Sequence, residues 1–239
     1  SLRRQRQMCI RDRISNSNTL KDLISNKGIH EAKNYAKNNP GDLNVSDIEY
    51  LPLIPNPGKI ICVGLNYSEH VKETNRTVEE NPVIFHRFPE SQTAHLQPIQ
   101  RPVVSQSLDF EGEMAVIMGE GGKHIKPEDA LKHIVGYSCY NESTIREWQR
   151  HTRQFGMGKN FEKTGSFGPH MVLAEDIKDY KNLTIETRLN GEVMQNAKLS
   201  QLIFDIPILI SYVSKAMAWR ARDLSHIPIS EPTRRRGVS

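Results

Sequence analysis

The sequence predicts an α+β fold with more strand than helix. Three observations carry this. Short apolar runs such as residues 60–63 suit buried strands. The strand-like segments do not alternate strictly with helices, as a doubly wound parallel sheet requires. No internal repeat is apparent. The 239 residues are 37% hydrophobic and 25% charged, with 15 Gly and 13 Pro. Such a chain can bury a real core, which argues against wholesale disorder. No apolar run approaches the roughly 18 residues of a spanning helix, so no membrane partner is expected.

Taken in order, residues 14–57 read as a small N-terminal region. It holds two short amphipathic helices, one over 19–25 behind a cap at Asn18 and one over 28–38 before the stop signal Asn39-Pro40-Gly41. Residues 43–57 are loop-like and Pro-rich, with a strand candidate at 48–51. The main domain, 58–217, has strand candidates at 59–63, 82–86 and 109–118, the last alternating apolar and acidic residues. A short helix at 128–131 follows Pro127, then a strand at 133–140 and a helical stretch at 143–150. Residues 156–170 hold four Gly and little periodicity, and so form a long loop of the kind that carries function. A strand at 171–173 and a hairpin of 183–189 with 192–195 around Asn190-Gly191 precede a final helix at 207–217.

The formal charge of +4 would suggest an anionic partner such as nucleic acid, but that charge is terminal. Residues 1–13 carry +4 and residues 218–239 carry +3, which leaves −3 for residues 14–217. Neither end shows apolar periodicity or the aromatic interleaving of a nucleic-acid arm, and both resemble translated sequencing-adaptor read-through. They are expected to be appended tails, with the domain cut short at Met217 and no nucleic-acid partner. A chain ended in this way is expected to be poorly stable and weakly active. Cys9, Cys62 and Cys139 have neither metal nor disulfide-framework spacing. With no apolar signal segment, this fits a reducing cytoplasm.

Asp109-Phe110-Glu111-Gly112-Glu113 is the strongest chemical feature. On a strand, residues two apart share a face, so Asp109, Glu111 and Glu113 would crowd together. Crowded carboxylates raise one another's pKa unless a cation neutralises them. An all-oxygen set suits a hard ion, Mg²⁺, Mn²⁺ or Ca²⁺, better than Zn²⁺; the alternative is an edge strand with a solvated acidic face. His70 and Glu73, three residues apart, can meet on a helical turn, where the carboxylate would fix the tautomer of a general base. The alternative there is a surface turn with an incidental ion pair. Within 141–149, Glu142 offers a further carboxylate and Arg146 a partner for an anion; the alternative is a helix capped at Ser143 with its charges solvated. Lys159, beside Gly158, can approach a substrate carboxylate or an enolate oxygen. Its surroundings lack P-loop spacing, and no nucleophile elbow, H-E-x-x-H, C-x-x-C or G-x-G-x-x-G occurs. His86, His95, His124, His133, His151 and His170 show no ligand spacing.

In order along the chain, these segments resemble the fumarylacetoacetate hydrolase family, in its shared C-terminal catalytic domain. The resembling runs are KIICVGLNYSEHVKE (59–73), PVIFHRFP (82–89), LDFEGEMAVIMG (108–119), GYSCYNESTIREWQRHT (136–152), GMGKNFEKTGSFGPHMV (156–172) and LNGEVMQNAKLSQLIFDIP (189–207). The resemblance implies mixed β-sheets in a compact roll with peripheral helices, a homodimer when complete, and a divalent metal: Mg²⁺ or Mn²⁺, with Ca²⁺ as a further option. By motif position it implies Glu111, Glu113 and Glu142 as metal ligands, Glu142 standing where Asp is more common. His70 and Glu73 fall on the water-activating dyad and Lys159 on the substrate-contacting Lys, while Arg87, Arg146 and Gln149 occupy positions near the substrate. Past Met217 the family normally continues with a Gly-Asp turn and a T-G-T-P segment that this sequence lacks.

The implied activity is metal-dependent hydrolysis of a C–C bond in a 2-oxo acid or 1,3-dicarbonyl, of the acylpyruvate or fumarylacetoacetate kind, through a metal-stabilised enolate. The same site would serve decarboxylation or isomerisation of oxo-diacids, such as oxaloacetate or aromatic-degradation intermediates; the dyad tilts the expectation towards hydrolysis. A third reading is a non-catalytic family member that binds metal and small diacids. In each case the expected partner is a small-molecule oxo acid.

Overall fold

The computed structural model describes residues 17–39, 41, 44–67 and 79–228. Two short helices lie in the N-terminal region, as expected: α1 (Leu20–Ser25) and α2 (Ile29–Asn38). The cap of α1 is Thr19 rather than Asn18, its hydroxyl accepting the Asp22 N–H at 3.1 Å. The strand candidate at 48–51 is irregular, because Ile48 and Leu51 face solvent and no ladder partner lies beside them.

The strands follow in chain order. β1 (Ile60–Gly64), β2 (Val83–Arg87) and β3 (Gln92–Ala94) come first. The expected single strand over 109–118 is two, β4 (Leu108–Asp109) and β5 (Gly112–Met118), because Phe110 and Glu111 step out of the sheet and β4 pairs instead with β7 (Thr144–Ile145). Between them runs β6 (Ile134–Glu142), preceded by a 3₁₀ turn over Pro127–His133. The helix expected at 143–150 shrinks to one turn, α3 (Arg146–Gln149). The long loop at 156–170 contains a second turn, α4 (Gly156–Lys159), and the strand β8 (Gly165–Phe167). Beyond it lie β9 (Val172–Leu173), the hairpin β10 (Thr184–Leu189) and β11 (Glu192–Lys198), helix α5 (Ile206–Ala216) and β12 (Leu224–Pro228).

The main sheet runs β2-β1-β12-β5-β6-β8-β3, with β9 added to β6. It is mixed: β1/β12 and β3/β8 are parallel pairs and the other ladders antiparallel. Its two outermost strands, β2 and β3, are separated by only residues 88–91, so the sheet curls until its ends meet. This is the α+β fold that the sequence predicts.

Strand parity divides the core in two. Ile61, Val63, Met114, Val116 and Met118 pack under α5 on one face. Ile60, Cys62, Ala115, Ile117 and Leu224 pack on the other with Phe85, Tyr140 and Phe167. Asp205 caps α5 by accepting the Ile206 N–H at 2.8 Å, and it also accepts a hydrogen bond from Tyr180 and an ion pair from Lys181 at 2.7 Å.

The fold does not stop at Met217, where the sequence reading places its end. Trp219 is 2% exposed in the core, donates from its indole to the Ile210 carbonyl at 3.0 Å, and bridges to Gly122 through two backbone hydrogen bonds. β12 lies between β1 and β5, with register Ile60↔Leu224 and Ile117↔Leu224. That reading rests on missing apolar periodicity and on the likeness of the end to adaptor read-through, but a strand flanked on both sides is held by its ladders whatever its side-chain pattern. Residues 1–13 and 229–239 lie outside the described residues.

Candidate active site

The three expected ligands meet where β5 begins and β6 ends. The antiparallel ladder sets Gly112 opposite Asn141 and Glu113 opposite Tyr140. Just beyond the strand, the Glu142 N–H donates to the Glu111 carbonyl at 2.7 Å. One carboxylate oxygen from each of Glu111, Glu113 and Glu142 lies within 4.8 Å of the others, and all three residues are buried. Glu111 and Glu113 stand two residues apart, so both turn to one face, and the backbone bond between Glu142 and Glu111 brings the third carboxylate beside them.

Cations surround the cluster. Lys159, at the end of α4, donates to Glu111 Oε2 at 2.9 Å and Glu142 Oε2 at 3.0 Å, with its ammonium 4.9 Å from the Phe85 ring centre. Gly158 lets it reach: a Cβ there would lie 2.4 Å from the backbone nitrogen of Gln149, so only glycine allows α4 to press against α3. Arg146 grips Glu111 at 2.7 Å and Asp109 at 2.8 Å, and donates to Gln149 Oε1 at 3.0 Å. Arg87 stands 3.9 Å from Glu142 Oε1 and spends its hydrogen bonds on Ser91, the Ser143 carbonyl and Thr164. Arg87, Arg146 and Gln149 are thus brought to the site, each engaged there by protein groups.

The electrostatics are uneven. Burial pushes Glu113 well above the usual carboxylate range, and the charge of Glu142 adds to the shift. Glu142 is opposed by the same burial, yet Lys159 and Arg87 hold it down at about 2. Burial also works against the Lys159 ammonium, but Glu111, Glu142 and Glu113 outweigh it and keep the group protonated.

Both carboxylate oxygens of Glu113 and Oε1 of Glu142 are buried without a hydrogen-bond partner. Buried acceptors left in this state are costly, and an all-oxygen donor set matches a hard divalent cation. The residues fit such an ion, with Glu111, Glu113 and Glu142 as its holders. Cys62, Glu142 and His226 form a second buried group. Burial pushes its thiol up and its imidazole down to about 3, so the cysteine stays a thiol and a poor ligand.

His70 and Glu73 lie outside the described residues. The sequence reading missed several neighbours. The Thr144 hydroxyl donates to Glu111 Oε1 at 2.7 Å, Asn141 Oδ1 accepts the Glu111 N–H at 3.1 Å, and Gln195 Oε1 accepts the Gly112 N–H at 3.0 Å. None stands in a spacing that betrays it; only the shape of the ladder brings them in.

The family model described as fumarylacetoacetate (FAA) hydrolase C-terminal matches residues 59–225. A mitochondrial oxaloacetate tautomerase of Xenopus laevis is 36% identical over 203 residues, 84% of this chain and 64% of the relative. An oxaloacetate tautomerase of Bacillus subtilis is 37% identical over 185 residues, 76% of this chain and 62% of the relative. The chain therefore spans less than two thirds of the length of either. Among solved structures, a fumarylacetoacetate hydrolase of Exiguobacterium antarcticum superposes with a TM-score of 0.74 at 29% identity, covering 94% of this chain and 78% of that one. A 5-carboxymethyl-2-hydroxymuconate delta-isomerase of Mycobacterium smegmatis gives 0.70 at 29% identity, covering 82% and 73%. Among the described residues, no helix is long and apolar enough to cross a membrane.

Proposed function

Because the chain belongs to the fumarylacetoacetate hydrolase family, we propose that it catalyses metal-assisted enolisation of a 2-oxo diacid, a tautomerisation or isomerisation of the oxaloacetate kind. The relatives named for tautomerisation and isomerisation support this reading over C–C hydrolysis, which the sequence alone had put first. The observation that carries it is the buried triad of Glu111, Glu113 and Glu142 with Lys159 bridging two of its members.

A divalent cation held there supplies Lewis acidity to the carboxylate and oxo oxygens of a 2-oxo acid. Lys159 spends two of its three N–H donors on Glu111 and Glu142. The third is left for an oxygen on which negative charge develops. Arg146, tied to Asp109 and Gln149, keeps Glu111 in place, while Arg87 braces the loop after Glu142. On motif position, His70 oriented by Glu73 moves the proton between carbon and oxygen. Burial of the cluster strengthens each of these charges by excluding water.

The test is the enol–keto interconversion of oxaloacetate, followed by ultraviolet absorbance with Mg²⁺ or Mn²⁺ present. The chain is expected to accelerate it, and Glu111→Gln to lower kcat/KM by about 100-fold or more, since Lewis acidity is worth several kcal/mol. Cleavage of an acylpyruvate into two acids, without tautomerase activity, would return the reading to hydrolysis.

A further inference from the structure

β11 is mostly exposed. Its burial pattern leaves Gln195 as the sole buried residue, 4% exposed, between the exposed Met194 and Asn196. The most deeply buried side chain of this strand is thus a polar one. The ladder shows how: the register slips between Thr187 and Arg188, pairing Thr187 with Gln195 and Arg188 with Val193, so Met194 is an extra residue. Such bulges bend a strand and re-aim the neighbouring side chain.

What Gln195 reaches is the start of β5 in the main sheet. Gly112 faces Asn141 in a pair whose backbone N–H points away from β6. On that side lies β12, whose described ladder reaches Pro228 opposite Glu113. The Gly112 N–H is taken by a side chain: Gln195 Oε1 accepts it at 3.0 Å. The preceding N–H, of Glu111, is likewise taken by a side-chain amide, that of Asn141 at 3.1 Å. Two consecutive backbone N–H groups, on Glu111 and just after it, are held by side chains from two different elements.

We propose that Gln195 is a positioning residue for the metal triad: it fixes the peptide between Glu111 and Glu113, and so their spacing, without touching the ion. The inference rests on the metal reading above. It predicts that the hairpin, through Gln195 and its bond to Gly112, tunes divalent-ion affinity.

The test is Mn²⁺ binding by the full chain, titrated by the loss of the free Mn²⁺ electron paramagnetic resonance signal. Gln195→Met keeps length and burial but removes the acceptor, and should weaken Mn²⁺ binding about tenfold with its melting temperature close to the parent's. Gln195→Glu keeps an acceptor and should stay within about threefold of the parent. Val193→Ala, at an exposed position on the same strand, should change nothing. If Gln195→Met loses its cooperative melt, Gln195→Asn, one methylene too short to reach Gly112, carries the same comparison. A parent that takes up no Mn²⁺ sinks both the metal reading and this inference. A parent that binds, with Gln195→Met or Gln195→Asn binding as tightly, sinks the inference alone.

Discussion

At the scale of single residues, the site is an arrangement of charges that tolerate burial only together. Lys159 is the cation shared by Glu111 and Glu142, and with it gone both carboxylates keep their desolvation cost while losing their common partner. Breaking a buried pair from one side costs about 3–5 kcal/mol, so Lys159→Met should lose about that much in urea unfolding; a loss below ~1 kcal/mol would mean that the pairs contribute little. The main site residues were legible because they carry charge in short, unusual runs. Glu111 and Glu113 stand two apart, and Lys159 sits in a glycine-rich stretch. Gln195, Asn141 and Thr144 were not. An amide or hydroxyl that completes a ladder looks like any other polar residue until the register is known.

At the scale of elements, legibility follows period. β1, β6 and α5 show clear apolar patterns and lie within a few residues of their expected positions. β3 and β8 have three residues each, too short for any period to register. β12 buries Ser225 and His226 in the middle of a sheet, where the sequence offers no alternation to read. α5 shows the opposite case, an apolar helix legible from its sequence, which the structure caps at Asp205. Asp205→Ala removes the cap together with the acceptor for Tyr180 and Lys181, and should lower stability by about 0.5–2 kcal/mol in thermal or denaturant unfolding. Because the helix roofs one core and not the carboxylate face, the same variant should leave Mn²⁺ affinity unchanged.

At the scale of the molecule, the curled sheet separates two tasks. One face carries the core under α5, and the other carries the second core and the acidic triad at its end. The strand that joins the halves is β12. Deleting residues 218–239 would remove Trp219 from the core and leave β1 and β5 with facing, unpaired edges. That variant should lose cooperative unfolding, whereas a truncated chain melting like the parent would mean that the fold ends at Met217 after all.

The same strand sets when this protein can fold. Cys62 and His226 sit side by side across 164 residues of chain, a closure that local structure cannot anticipate. On a ribosome, β1 and the β5–β6 ladder emerge early but stay unjoined to each other until residues 224–228 have cleared the exit tunnel. Closing the sheet is therefore a non-local step that waits on β12, and a slow one, as contact order dictates for such sheets. For most of synthesis the nascent chain displays two bare strand edges to its surroundings, which makes it a natural client for chaperones that shield such edges.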